Sequence, residues 1–271
     1  MTALLTRVLG RLPIGWLQLV HNRTRLLAAM AGVMFANVLV FMQLGFLGAL
    51  VESVALPYRA MNADIVISAS DANTLSDGSP LPRQRMFAAL SIEGVAGATP
   101  LYFGKMDWKQ PDGTIRTLDV LGVDPSVETF RIPQINAALE QLKLSDHALI
   151  DRRTRNVPAS LFASIDSGTP YRFEVKGRTI TVSSTFSLGG GFTTDGYLVV
   201  SDQTFLRHFP QRIAGAPSHI LVRLEPGASR DAVLAGLRAA LPDYDSVVRT
   251  VDEAIAKDQR FQTTQRPVGI V

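Results

Sequence analysis

Cysteine is missing from the 271-residue chain, which excludes disulfide staples and thiolate metal sites. Acid is missing from one end: residues 1–51 hold Arg7, Arg11, Arg23 and Arg25 but no Asp or Glu. Charged residues make up only 19% of the chain against 46% hydrophobic, a balance that excludes a disordered polymer. With four of the 27 Lys+Arg at that end, the other 220 residues hold 23 bases and 24 acids. The basic excess therefore belongs to the N-terminal segment. A nucleic-acid-binding body, which gathers Lys and Arg on a folded face, is not expected.

Catalytic patterns are missing as well. The four His residues (His21, His147, His208, His219) have no ligand-like spacing. His219 opens an apolar run and reads as a surface or partly buried structural His. Gly189-Gly190-Gly191 is not followed by the Gly-Lys-Ser/Thr of a phosphate cradle, so it reads as a loop needing positive φ or a close approach. Ser187 and Ser201 lack a Gly-x-Ser-x-Gly context. Asp252-Glu253 stands where a helix would begin, and acids there favour the helix dipole. No catalytic, cofactor-binding or metal residue is expected, and the chain reads as a non-enzyme.

What the chain does have is a long apolar run. Of the 26 residues from Leu26 to Val51, 21 are hydrophobic, three are Gly and only Asn37 and Gln43 are polar. As a helix this run reaches about 39 Å, enough to cross a ~30 Å hydrocarbon core. A cleaved signal peptide, suggested by Ser53-Val54-Ala55, is disfavoured because its apolar region spans only about 7–15 residues. The Arg residues before the run place the N-terminus in the cytoplasm and everything after residue 52 outside the inner membrane. Residues 1–25 read as a cytoplasmic amphipathic segment, with Leu4, Leu5, Val8, Leu9 and Leu12 at helical spacing and Trp16 near the headgroups, an ordinary helix packed on a cytoplasmic partner being the equal alternative. Within the span, Ala28, Gly32 and Ala36, and again Gly45 and Ala49, lie four apart. Such spacing lets another helix approach, and Asn37 and Gln43 are candidates to hydrogen-bond across the contact.

Residues 52–266 read as an α+β body. Ala63–Ser68 is a strand and Arg83–Leu90 a helix; Ala98–Trp108 and Thr114–Val123 are strands joined by the turn Gln110–Gly113. His219–Leu224 is a strand, Ser229 caps a helix over Arg230–Leu241, and Asp245–Thr250 is a further strand. Between these units residues 124–217 look inserted and mostly β, with a hairpin turn at Lys176-Gly177-Arg178, a strand at Tyr197–Ser201 and a helix at Gln203–Phe209. The expected fold class is thus one N-terminal transmembrane helix (26–51) followed by a two-lobed extracytoplasmic mixed α/β domain. Its first lobe (52–123 and 218–250) is interrupted by the insert, and a connecting helix (251–265) leads to a new apolar segment at 267–271.

Several runs carry a family resemblance: Gly15–Val20, Arg25–Ala36, Phe41–Leu50, Ala63–Val66, Thr99–Tyr102, Val120–Val123, Phe186–Phe205 and Arg266–Ile270. Together they resemble the DevC-type permeases, ABC exporter subunits of the MacB/FtsX superfamily. The resemblance implies four membrane helices with one porter-like periplasmic domain between the first and second. On that reading the sequence is an N-terminal portion lacking helices two to four. It also implies a permease dimer, a separate cytoplasmic ABC ATPase that binds the ATP, a periplasmic membrane-fusion protein and an outer-membrane channel, with no cofactor on this chain. The competing expectation is a membrane-anchored extracytoplasmic sensor domain of a signalling receptor; a third, an anchored periplasmic enzyme, suffers from the missing site residues.

Overall fold

The computed structural model describes residues 21–191 and 194–264. The expected amphipathic segment over residues 1–20 and the apolar segment at 267–271 lie outside the described residues. The chain divides into two compact units between Gly48 and Ala49.

The first described element is helix α1, Arg23–Ala60, opened by Asn22, whose side chain accepts from the Arg25 N–H at 3.2 Å. It is long and apolar enough to cross a membrane. The helix starts inside the segment assigned to 1–25 and does not stop at Val51. It runs nine residues further, because Glu52–Leu56 contains no Gly or Pro and the first breaker, Pro57, sits in the last turn. Within that extension Ala55, Pro57 and Tyr58 are buried, so packing as well as propensity holds it helical.

The body is one nine-stranded sheet in the order β5-β6-β4-β7-β3-β2-β8-β1-β9. Its strands are β1 Ile65–Ala69, β2 Val95–Lys109, β3 Ile115–Val123, β4 His147–Asp151, β5 Tyr171–Val175, β6 Arg178–Phe186, β7 Gly196–Ser201, β8 His219–Leu224 and β9 Ser246–Thr250. The helices after α1 are α2 Gln84–Leu90, α3 Pro133–Ala137, α4 Leu139–Leu142, α5 Ala159–Asp166, α6 Asp202–His208, α7 Arg230–Ala240 and α8 Val251–Thr264. The β2–β3 turn closes through Gly113 N–H to Gln110 C=O at 2.9 Å. In the β5–β6 turn both central residues, Lys176 (φ 51°) and Gly177 (φ 74°), are left-handed, the backbone that matches strand twist in a two-residue hairpin.

The insert supplies β4 to β7, which occupy one contiguous half of the sheet; the flanking segments supply the rest. The two expected lobes thus share a sheet. Leu118 to Val123 of β3 are all buried, so neither edge of that strand can be left without backbone partners. It takes β2 antiparallel on one side and β7 parallel on the other.

Three apolar clusters fill the layers. One face of the β8-β1-β9 region packs Ile65, Ile67 and Val248 against α2 and α7. The other face packs Val66, Leu221 and Phe103 beneath Tyr58 of α1 and Ile255 of α8. In the insert half, the sheet curls until β2 meets β5, and Trp108 stacks on Phe173 with ring centroids 4.4 Å apart. Helix α6 closes that curl, and it lies so near the sheet that a Cβ on Gly122 would come within 2.6 Å of the Phe205 side chain. Ser201 caps α6, accepting the Thr204 N–H at 3.2 Å.

Candidate coupling site

Two long helices attach to the body at one place. Helix α1 feeds β1 through Met61–Asp64, and β9 feeds α8 without a gap. Strands β1 and β9 are antiparallel neighbours with Ile65 opposite Thr250, so both helices join the same end of the sheet. The connections are pinned. Val251 N–H donates to the Asp64 carbonyl at 3.2 Å, Arg131 N–H to the Ala60 carbonyl at 2.7 Å, and Asn62 N–H to the Thr129 carbonyl at 2.8 Å.

Helix α8 begins with a reciprocal cap: Glu253 N–H donates to Thr250 Oγ1 at 3.1 Å, and Thr250 N–H donates to Glu253 Oε2 at 2.9 Å. Asp252 and Glu253 therefore serve the helix start, as the sequence indicates. The buried face of α8 carries Ala254, Ile255 and Asp258. Asp258 ties three segments together: its Oδ2 accepts from Tyr58 Oη of α1 at 3.1 Å and from the Leu75 N–H at 3.0 Å. Gln262 lies 3.5 Å from its Oδ1. One residue along, Gln259 Nε2 donates to the Val51 carbonyl at 2.8 Å, a second strut between α8 and α1.

Next to this junction is a small cavity of about 60 Å³ lined by Ser53, Pro57, Leu75, Phe103, Asp119 and Tyr197, with Asp258 at its wall. Asp119 is buried, and its Oδ1 has no hydrogen-bond partner; Lys105 Nζ stands 3.8 Å away. Burial pushes the Asp119 carboxyl up to about 6, the Lys105 charge offsetting only part of the effect. Burial likewise pushes Asp258 up to about 6, against the lowering effect of its hydrogen bonds. Two acids in this cluster thus change charge close to neutrality.

His219 is fully buried at the start of β8 rather than surface-exposed or partly buried. Its Nε2 faces the Leu75 carbonyl at 2.8 Å, so that nitrogen carries the proton, and Nδ1 accepts from Ser68 Oγ at 2.9 Å. Burial lowers its pKa and keeps it neutral. The role is structural: it holds the loop whose Leu75 N–H meets Asp258.

The Gly189–Gly191 loop is held by Asp151, which is completely buried. Its carboxylate accepts from the N–H groups of Arg153 (3.0 Å), Leu188 (3.2 Å) and Gly189 (2.8 Å). Gly189 adopts φ 112°, the conformation expected of that position. The loop is a structural corner, and Gly191 reaches the cavity wall.

The packing positions named in the span, Ala28, Gly32, Ala36, Asn37, Gln43, Gly45 and Ala49, all lie on α1 and are exposed within this chain. At about 100° per residue, Ala28, Gly32, Ala36 and Gln43 fall on one stripe, and Gly45 with Ala49 on another. Asn37 falls about 120° from Gln43. Among the described residues no group of three or more His, Asp or Glu is placed to hold a metal ion.

Asp258 and Asp119, the chemically distinctive residues of the site, were not singled out from sequence. A signal exists for the first. Ile255, Asp258 and Gln262 recur at helical spacing, so an acid stands inside the apolar stripe of α8.

A long apolar helix thus leads into a mixed α/β domain, and α8 leaves from the same sheet end. The chain belongs to the MacB-like periplasmic core domain family, which matches residues 26–240. This is a family of ABC-type transporter permeases, which agrees with the MacB/FtsX superfamily part of the resemblance read from the sequence and does not reach its DevC type. Among solved structures, the chain is similar to the periplasmic region of MacB from Actinobacillus actinomycetemcomitans (10% identity, 77% of this chain and 95% of that one, TM-score 0.45). It is also similar to the extracellular domain of the noncanonic ABC-type transporter YknZ from Gram-positive bacteria (10% identity, 69% and 98%, TM-score 0.43). A domain of a Porphyromonas gingivalis protein described as a putative permease gives 14% identity over 72% and 89%, with a TM-score of 0.42. No curated protein matches the chain.

Proposed function

We propose that the chain acts as a membrane-spanning permease subunit of an ABC exporter, of the DevC type suggested by its sequence runs. ATP hydrolysis takes place on a separate cytoplasmic ATPase. Closure of that ATPase moves the membrane helices of a permease dimer, and the coupling site passes the motion to the nine-stranded sheet. The sheet domain works in the periplasm with a membrane-fusion protein and an outer-membrane channel, and the subunit sits in the inner membrane with its N-terminus in the cytoplasm. One observation carries this reading: α1 and α8 enter neighbouring antiparallel strands and are tied to each other by Asp258 and Gln259. Displacement of either helix is thereby delivered to β1 and β9 together, as a lever rather than as a flexible tether.

Affinity purification through a tag on this chain, from the native organism in mild detergent, tests the assembly. An ABC ATPase and a fusion protein are expected in stoichiometric amounts. Recovery of the chain with neither of them, from membranes that contain both, would overturn the reading.

A further inference from the structure

A second pocket, of about 100 Å³, lies at the seam where the curled half closes, and its Lys105 stands 3.8 Å from Asp119 of the coupling cavity. Three elements meet there: β2 at Lys105, the β5–β6 turn at Lys176 and Arg178, and the end of α6 at Arg207, His208 and Phe209. Four permanent cations thus face one small cavity whose lining holds no carboxylate. Acids outside the lining partner two of these cations. Asp146 takes Arg207 at 2.9 Å and His208 at 3.1 Å, and Asp119 is 3.8 Å from Lys105. Among the described residues, no carboxylate pairs with Lys176 or Arg178.

The turn itself points the same way. Lys176 occupies a left-handed position (φ 51°), where Asn, Asp or Gly is the ordinary choice and a long side chain is uncommon. A cation is held at that position despite the backbone preference. Crowding like charges around a cavity is unfavourable unless an anion or solvent compensates it. Burial, and behind it the neighbouring Arg178 and Arg207, lowers the His208 pKa against the pull of Asp146. The imidazole is therefore neutral, and Lys176 and Arg178, which no carboxylate pairs with among the described residues, carry the excess positive charge. The floor is apolar, formed by Met106, Val175, Phe209 and Pro210. Guanidinium and ammonium groups over an apolar floor suit a phosphate oxyanion joined to a carbon body, Arg supplying forked donors and Lys a point charge.

We propose that this pocket binds a phosphate-bearing ligand, its oxyanion held by Lys105, Lys176, Arg178 and Arg207 and its carbon portion set against Phe209. The proposal does not depend on the exporter reading. A phospholipid headgroup and free phosphate share this chemistry.

Isothermal titration of the full chain in a nonionic detergent separates the sources, with inorganic phosphate and dihexanoylphosphatidylglycerol as probes. The Lys176→Asn/Arg178→Ser double variant changes only exposed turn side chains and places Asn where φ is positive, so the fold is retained. At least one probe is expected to saturate at millimolar concentration or below. Its affinity should fall about tenfold or more in the double variant, and fall with added salt, while an Arg223→Ser/Arg230→Ser control binds like the parent. Tighter binding of the lipid than of phosphate assigns the site to a headgroup; equal binding assigns it to free phosphate. The proposal is overturned if neither probe saturates, if the double variant binds as well as the parent, or if the control loses as much affinity.

Discussion

Replacing Asp258 by Ala is expected to separate α8 from α1, with a stability loss whose size depends on pH. The substitution removes the acceptor of the Tyr58 hydroxyl and of the Leu75 N–H. Leaving such groups unsatisfied costs about 2–4 kcal/mol for the pair. Against this stands the ionised carboxylate itself. Its folded-state pKa is raised to about 6, above the unfolded value near 3.9. The folded state therefore binds more protons between those pH values, and stability contributed by this group rises as pH falls through about 6. A raised pKa of about two units means that the buried charge costs roughly 3 kcal/mol at pH 7.5, nearly all of it recovered by pH 4. Asp258→Ala should thus be most destabilising near pH 4 and much less so at pH 7.5. Asp258→Asn keeps the acceptor and removes the charge, so it should match or exceed the parent at pH 7.5 and lose that advantage near pH 4. Unfolding of the full chain in detergent, followed by the fluorescence of the buried Trp108, reads both curves. An Ala variant with a loss independent of pH would contradict the assignment.

Asp151→Ala is expected to produce the largest loss of stability in the body. Three backbone N–H groups converge on this fully buried carboxylate, and Ala offers none of them an acceptor. At about 1–3 kcal/mol for each unsatisfied donor, with some relief from entering water, the loss is roughly 3–5 kcal/mol. Asp151→Asn retains one acceptor oxygen and should recover about half of that loss. The damage should be local before it is global. Leu188 and Gly189 amides should exchange with solvent much faster than those of β7, which is paired on both edges. Uniform acceleration across the sheet would show that the loop is not the part that Asp151 holds.

The sequence reveals those elements whose local chemistry is strong. Gln110–Gly113 and Lys176-Gly177 announce their hairpins through turn residues, and Ser229 announces α7 through its cap, accepting the Ala232 N–H at 3.4 Å. Strand β4 and the short helices α4 and α5 carry no such marks, and α3 has only Pro133 at its start. β4 has only three apolar residues, Ala148, Leu149 and Ile150, too few for their period to separate strand from helix. α4 has only four residues and follows α3 almost directly. The shared sheet was also hidden, because the parallel pairing of β3 with β7 joins segments with no local contact. The coupling site is non-local in the same way. Tyr58 and Asp258 are 200 positions apart, and Leu75 is 183 from Asp258. Nothing short of the fold brings them together, although the acid within the α8 stripe marks one partner.

The central claim is that nucleotide-driven motion reaches the sheet domain through the Asp258 junction. The most direct measurement uses Lys109, which is exposed at the far tip of β2. These 271 residues hold no Cys, so within them a nitroxide on Lys109→Cys is a single label, any Cys elsewhere in the assembly being replaced. In the assembled transporter, the label-to-label distance distribution between two copies is recorded by double electron–electron resonance, without nucleotide and with ATP plus vanadate. The account predicts a shift on trapping, lost in the Asp258→Ala background while ATP hydrolysis continues. An unchanged distribution in a transporter that hydrolyses ATP, or a full shift in the Asp258→Ala background, would contradict it.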